Sequence, residues 1–207
     1  MKLIAVSLLS LAALLTVSCS KTPAPAPKVA PSNETAPDAF RVVFDTTRGR
    51  VTVDVTRVSA PLGVDRFYNL VKAKYFDGAR FFRVVPGFVV QFGLAADPKL
   101  TAAWDVQFPD DPVLVSNKRG TLTFATAGPD TRTTQLFINL GNNERLDAQH
   151  FSAFGRVVEG MDVVDQIYSG DGQNPKQDRI ESEGNAYLQK EFPNLDYIKT
   201  ATIVAGN

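Results

Sequence analysis

Short apolar runs with the two-residue period of a β-strand, each cut off by glycine or proline, leave this chain few folds to choose from. Within RVVFDTTRGRVTVDVTRV, Val51, Val53 and Val55 alternate with Thr52, Asp54 and Thr56, so one face is apolar and the other polar. The segment reads as two strands around a turn at Arg48-Gly49. GTLTFATAG (120–128), QLFINLG (135–141) and FSAFGRVVEG (151–160) read as further strands, with a last one near 197–204. Two helical patterns interrupt them. In SAPLGVDRFYNLVKAKYFDG, Pro61 suits the first helical position, and Val64, Phe67, Leu70 and Val71 share one face. A shorter helix is expected from Met161 to Tyr168, closed by Gly170, and another over 181–190. Residues 94–119 read as loop, broken at Asp97-Pro98, Pro109 and Pro112, with Asp110-Asp111 as a solvated pair. Many short strands and few helices predict a mainly β protein, a closed antiparallel barrel or sandwich.

The two ends carry different information. MKLIAVSLLSLAALLTVSC has Lys2, an apolar run from Leu3 to Val17, and then Ser18-Cys19. That run is too short to span a bilayer and fits the core of a secretory signal. The segment resembles a bacterial lipoprotein signal, so residues 1–18 are expected to be removed and Cys19 lipidated. The next stretch, SKTPAPAPKVAPSNETAPDA (20–39), is rich in proline and alanine and cannot build a core; residues 19–39 read as a tether. One folded domain, 40–207, follows. The expectation is an exported protein of the cell envelope or periplasm, held to a membrane by lipid. Cys19 is the only cysteine, so no disulfide supports it there. Lys+Arg and Asp+Glu balance at 22 each and no basic tract occurs, which gives no footprint for nucleic acid. The chain is expected to act as a monomer.

Familiar catalytic sets are missing. His150 is the only histidine, which removes His-rich metal sites and Cys-His pairs, and no metal or other cofactor is expected. An enzyme built from this chain needs a reaction without a strong acid, base or nucleophile. What it does offer is apolar segments with isolated polar groups: Arg83 and Gln91 in FFRVVPGFVVQFG (81–93), Gln135 in TTQLFINL, and RLDAQHFSAFG. Such groups beside phenylalanines can hold an extended peptide around an apolar pocket. They can equally be structural, with Arg83 paired to a core carboxylate and the glutamines capping loops. Spacing does not separate the two.

FFRVVPGFVVQFG resembles the signature of the cyclophilins, the peptidyl-prolyl cis–trans isomerases. GTLTFATAGPDTRTTQLFINL and LDAQHFSAFGRVVEGMDVVD are similar to the family's second and third blocks, and all three come in the family's order across 40–168. The resemblance implies a closed eight-stranded antiparallel β-barrel capped by two α-helices, acting on proline-containing polypeptides. By motif position, Arg83 would be the catalytic arginine, with Phe88, Val89, Phe137 and Leu146 lining a proline pocket. Gln91 and Gln135 would hold the substrate backbone and Arg83, and Ala125 and Thr126 would line the groove through their backbone. His150 matches the family's pocket histidine, although one extra residue precedes Phe154-Gly155. Arg145 stands where many members have tryptophan, Val89 where methionine is frequent and Thr126 where asparagine is frequent. The competing expectation is a chaperone or scaffold that binds proline segments of the envelope without turnover.

Overall fold

The computed structural model describes residues 32–204. Eight strands form one antiparallel sheet: β1 (Ala39–Thr46), β2 (Arg50–Thr56), β3 (Arg83–Val85), β4 (Val89–Phe92), β5 (Thr121–Phe124), β6 (Leu136–Asn139), β7 (Ala153–Glu159) and β8 (Ile198–Val204). Their order is β3-β4-β6-β5-β7-β2-β1-β8. The sheet curls around a phenylalanine-rich core in which Phe67 meets Phe40, Phe44, Phe76 and Phe154 with ring centroids 5.2–6.4 Å apart. β1 and β2 are the alternating pair read from the sequence, with Val42 facing Val53 and Phe44 facing Val51.

The expected closed barrel is corrected to a curled sheet whose terminal strands, β3 and β8, do not pair as strands. The segment before β3 meets the start of β8 instead, through an Arg80–Tyr197 bridge, the Phe81 N–H donating to the Asp196 carbonyl at 3.0 Å, and the Ile198 N–H donating to Ala79 O at 2.9 Å. The reason is local. β3 has three residues, and its Val84 N–H donates to Gly172 O at 3.0 Å, so a loop occupies the edge that β8 would need.

Helices are more numerous than the three read from the sequence or the two the resemblance implies. Among the described residues there are five: α1 (Pro61–Lys72), α2 (Pro98–Trp104), α3 (Met161–Asp165), α4 (Gln177–Glu183) and α5 (Asn185–Glu191). α1 buries the predicted face, with Val64, Phe67 and Leu70 fully covered. α2 falls in the stretch read as loop: Asp97 accepts the Lys99 N–H at 2.9 Å and Pro98 takes the first helical turn, so the supposed breaker starts a helix. The helix expected over 181–190 is two helices, split at Gly184. There φ is +59°, and a Cβ would stand 2.5 Å from Ala96 O. α4 and α5 cover a second small core of Phe82, Leu94, Ile180, Tyr187, Leu188 and Leu195.

Ordered chain also begins before β1. Ser32 and the Glu34 N–H donate to Asn69 Oδ1, and the Ala36 N–H donates to Asp65 Oδ1 at 2.9 Å, so 32–36 lie along α1.

Asp196 ties the meeting point of the sheet's ends. It accepts from Thr47 Oγ1 (2.7 Å), Arg48 Nε (2.7 Å) and the Tyr168 N–H (2.8 Å). Burial would raise its pKa, but these bonds and the Arg48 charge outweigh it and hold the carboxyl below its usual range. A group depressed in the folded state contributes stability that is complete above the ordinary carboxylate pKa and is lost as pH falls through the lower, folded value. Asp196→Asn is therefore expected to lower stability at pH 7 and flatten the decline below about pH 4. Urea denaturation across that range checks this; an unchanged acid slope would show that Asp196 contributes nothing to it.

Candidate active site

The two-residue period and the strand register place the site. Arg83 on β3 faces Gln91 on β4, Gln91 faces Phe137 on β6, and Phe137 faces Thr123 on β5. One row of side chains thus crosses four strands on a single sheet face. Their neighbours Val84, Val90 and Ile138 point the other way, into the core. This is why β4 is buried along its whole length: one face meets the core, the other floors a cavity of about 370 Å³.

Arg83 is half-buried and makes no ion pair among the described residues. A core carboxylate, the structural reading left open by the sequence, is not its partner. Its Nη1 donates to Gln91 Oε1 at 3.0 Å and its Nε to Gln173 Oε1 at 2.8 Å. Gln91 in turn donates from Nε2 to Gln135 Oε1 at 2.8 Å. Burial pulls the guanidinium pKa down from its ordinary value, yet an arginine so placed keeps its proton at neutral pH. The result is a fixed cation whose remaining N–H groups face the cavity without a carboxylate to neutralise them.

An apolar pocket adjoins it. Val89, Phe137 and Leu146 form a buried cluster with Phe88, Ala125 and Phe151 packed on it. Leu146 arrives on a 3₁₀ turn, Glu144–Gln149, anchored by Asp147. That carboxylate accepts Ser116 Oγ, the Asn117 N–H (2.9 Å) and Asn117 Nδ2 (2.8 Å). Asn143 Nδ2 donates to Phe88 O at 2.9 Å and so ties the turn to the loop carrying Phe88. Across the cavity the Ala125 N–H donates to Gln135 O at 2.9 Å. The Thr126 hydroxyl is engaged with Gly128 O and Thr131 Oγ1, and Ala125, Thr126 and Thr131 stand at the cavity wall.

Arg83, Phe88, Val89, Gln91, Ala125, Thr126, Gln135, Phe137 and Leu146 therefore line one cavity, and His150 does not. His150 is exposed, adopts a left-handed conformation (φ +63°) and lines a neighbouring depression with Asp110, Gly128 and Pro129. Phe151, the next residue, stands on the pocket wall instead, its ring 5.8 Å from that of Phe137. Sequence reasoning missed Phe151. It also missed Gln173, which accepts from Arg83 out of the polar loop before α4, and Gln177, the first residue of α4, which lines the cavity. No local pattern marks either glutamine. Cys19 lies outside the described residues.

Such a site can bind an extended chain, bury a small ring and present a fixed cation beside it. Comparison with known proteins agrees. Residues 41–185 match the family described as cyclophilin type peptidyl-prolyl cis-trans isomerase/CLD. A peptidyl-prolyl cis-trans isomerase of Acinetobacter baylyi is 35% identical over 134 residues, spanning 61% of this chain and 70% of that one. Peptidyl-prolyl cis-trans isomerase A of Dickeya dadantii is 33% identical over 138 residues, spanning 64% and 73%. In three dimensions the chain resembles a cyclophilin type isomerase of Cryptosporidium parvum with a TM-score of 0.63, 20% identity, and coverage of 82% of this chain and 99% of that one. A second structure of that protein, in the presence of the dipeptide Ala-Pro, gives a TM-score of 0.62 at 20% identity, covering 80% and 99%. With the family match across more than half of its length and its mainly β fold, the chain belongs to the cyclophilin-type peptidyl-prolyl cis–trans isomerase family.

Proposed function

We propose that the protein accelerates cis–trans exchange of X-Pro bonds in polypeptides, with Arg83 as the catalytic residue. The observation that carries this is a guanidinium held by two glutamine carbonyls, Gln91 and Gln173, beside an apolar pocket, with no ion pair among the described residues neutralising it. An X-Pro bond resists rotation because amide resonance sets a barrier of about 20 kcal/mol. At the twisted transition state that resonance is lost, and the proline nitrogen regains a lone pair that accepts a hydrogen bond. A donor aimed at this nitrogen stabilises the twisted form more than either planar one. Phe88, Val89, Phe137, Leu146 and Phe151 hold the ring, while Gln91 and Gln135 hold the chain. No proton is transferred, so the scarcity of acid–base groups is no obstacle. Exchange spectroscopy on a proline tetrapeptide, with and without the protein, tests the proposal; binding without faster exchange would identify a holding module instead.

We further propose that the isomerase works outside the cytoplasm, anchored through a lipidated Cys19 with 20–31 as a spacer. The support is the order of signal, cysteine and proline-alanine tract in the sequence. Among the described residues no helix is long and apolar enough to cross a membrane. Cys19→Ser is expected to move the protein from the membrane fraction to the soluble envelope fraction. Retention of that variant with membranes would rule lipidation out as the anchor.

A further inference from the structure

Phe88 at the mouth of the pocket carries two guanidinium groups. Arg83 stands 5.8 Å from its ring centroid and Arg145 stands 4.9 Å from it. The cation–π contact holds Arg145 over the rim of the cavity rather than leaving it to wander in solvent. Arg145 is exposed and forms no ion pair among the described residues. The two carboxylates on its own turn are already engaged. Glu144 lies 3.7 Å from Lys118, and Asp147 turns inward to Ser116 and Asn117. In the adjoining depression, Asp110 faces Arg132 at 3.2 Å. No carboxylate lines the cavity itself. The groove therefore presents two uncompensated positive charges to whatever lies along it.

We propose that Arg145 is a specificity-determining residue, and that the groove selects proline segments with an acidic side chain immediately before or after the proline. The proposal rests on the isomerase reading for the site's occupant. A proline ring seated against Phe88 leaves the residues on either side within reach of a long arginine at that rim. A carboxylate there gains a charge-assisted contact that an uncharged side chain of the same shape lacks. Because Arg145 is solvated, the gain is modest: a two- to fivefold preference, of the order measured for exposed ion pairs. It fades with added salt, whereas a preference from packing would not.

Two pairs of peptides test it, with Glu or Gln directly before the proline and with Glu or Gln directly after it. Both affinity and catalysed exchange are measured by NMR. At one of the two positions the wild type is expected to favour Glu about two- to fivefold at low salt and to lose the preference at high salt. Within Arg145→Gln the Glu:Gln ratio falls to about one, and within Arg145→Glu it inverts. Ratios taken within each variant cancel any difference in active fraction. A ratio of one at both positions in the wild type, or a ratio that survives Arg145→Gln, overturns the proposal. Glu-selective binding that depends on Arg145 but brings no exchange would support it while overturning the isomerase reading.

Discussion

Arg83→Ala lowers kcat/KM for exchange of an Ala-Pro peptide by about 30- to 150-fold, the equivalent of losing one charged hydrogen bond of 2–3 kcal/mol. The cavity's apolar cluster does not include Arg83, so the peptide still binds and the loss falls mainly on kcat. Arg83→Lys recovers little. A lysine keeps the charge but lacks the planar fork that reaches Gln91 and Gln173 while leaving an N–H aimed at the substrate. Exchange NMR at saturating and sub-saturating peptide separates the two parameters. A variant with wild-type kcat would show that seating the bond in a twisted form suffices and that the cation is a spectator. One hydrogen bond does not account for a whole enzyme's acceleration. The remainder is assigned to the pocket, where anchoring the ring favours the twisted bond.

Arg132→Met is expected to cost about 3 kcal/mol of stability, at the lower end for breaking a buried ion pair. Arg132 is 2% exposed. Its Nη2 donates to Asp111 Oδ2 at 3.0 Å and to Pro109 O, its Nε lies 3.2 Å from Asp110, and its guanidinium covers the Phe108 ring at 4.4 Å. Asp111 also accepts the Leu62 and Gly63 N–H groups at 3.0 and 2.8 Å. It serves as the missing cap of α1, which starts after Ala60 with no side-chain acceptor of its own. A glycine at 63 leaves room for this, since a Cβ there would stand 3.2 Å from Arg132 Nη1. Because Asp111 keeps those two donors, the loss stays near the low end. Arg132 is flanked by Thr131 and Thr133 at the cavity wall, so the same substitution is expected to loosen that wall. Urea denaturation reads the stability as a lower midpoint at constant slope. A cost below 1 kcal/mol would show that the helix N-terminus alone satisfies Asp111.

These two arginines mark how far the sequence could be read. Arg83 stood out because it interrupts an apolar strand with a repeating pattern, and the strand period that made it visible also puts it in line with Gln91 and Phe137. Arg132 and its partners were invisible: Asp110-Asp111 beside two prolines looked like a solvated loop, yet Asp111 is buried. The same contrast separates Leu146 from His150. Both sit in one recognisable segment, but Leu146 faces the pocket while His150 lines the neighbouring depression, and Phe151 packs on the pocket wall. The loop bearing Gln173 carried no sign of its role at all.

The sequence by itself determined most of the strands and the apolar face of the first pair, because the two-residue period is local and survives without coordinates, while the resemblance of its motifs pointed to the family and to candidate groove residues. Tertiary structure alone decided that the sheet's end strands stay unpaired, that Asp111 caps a helix some fifty residues earlier, and that Gln173 steadies Arg83 from ninety residues away. Those contacts depend on where separate segments come to rest in space. A buried charge takes whichever partner the packing brings within about 3 Å, and no local pattern in the chain records that choice.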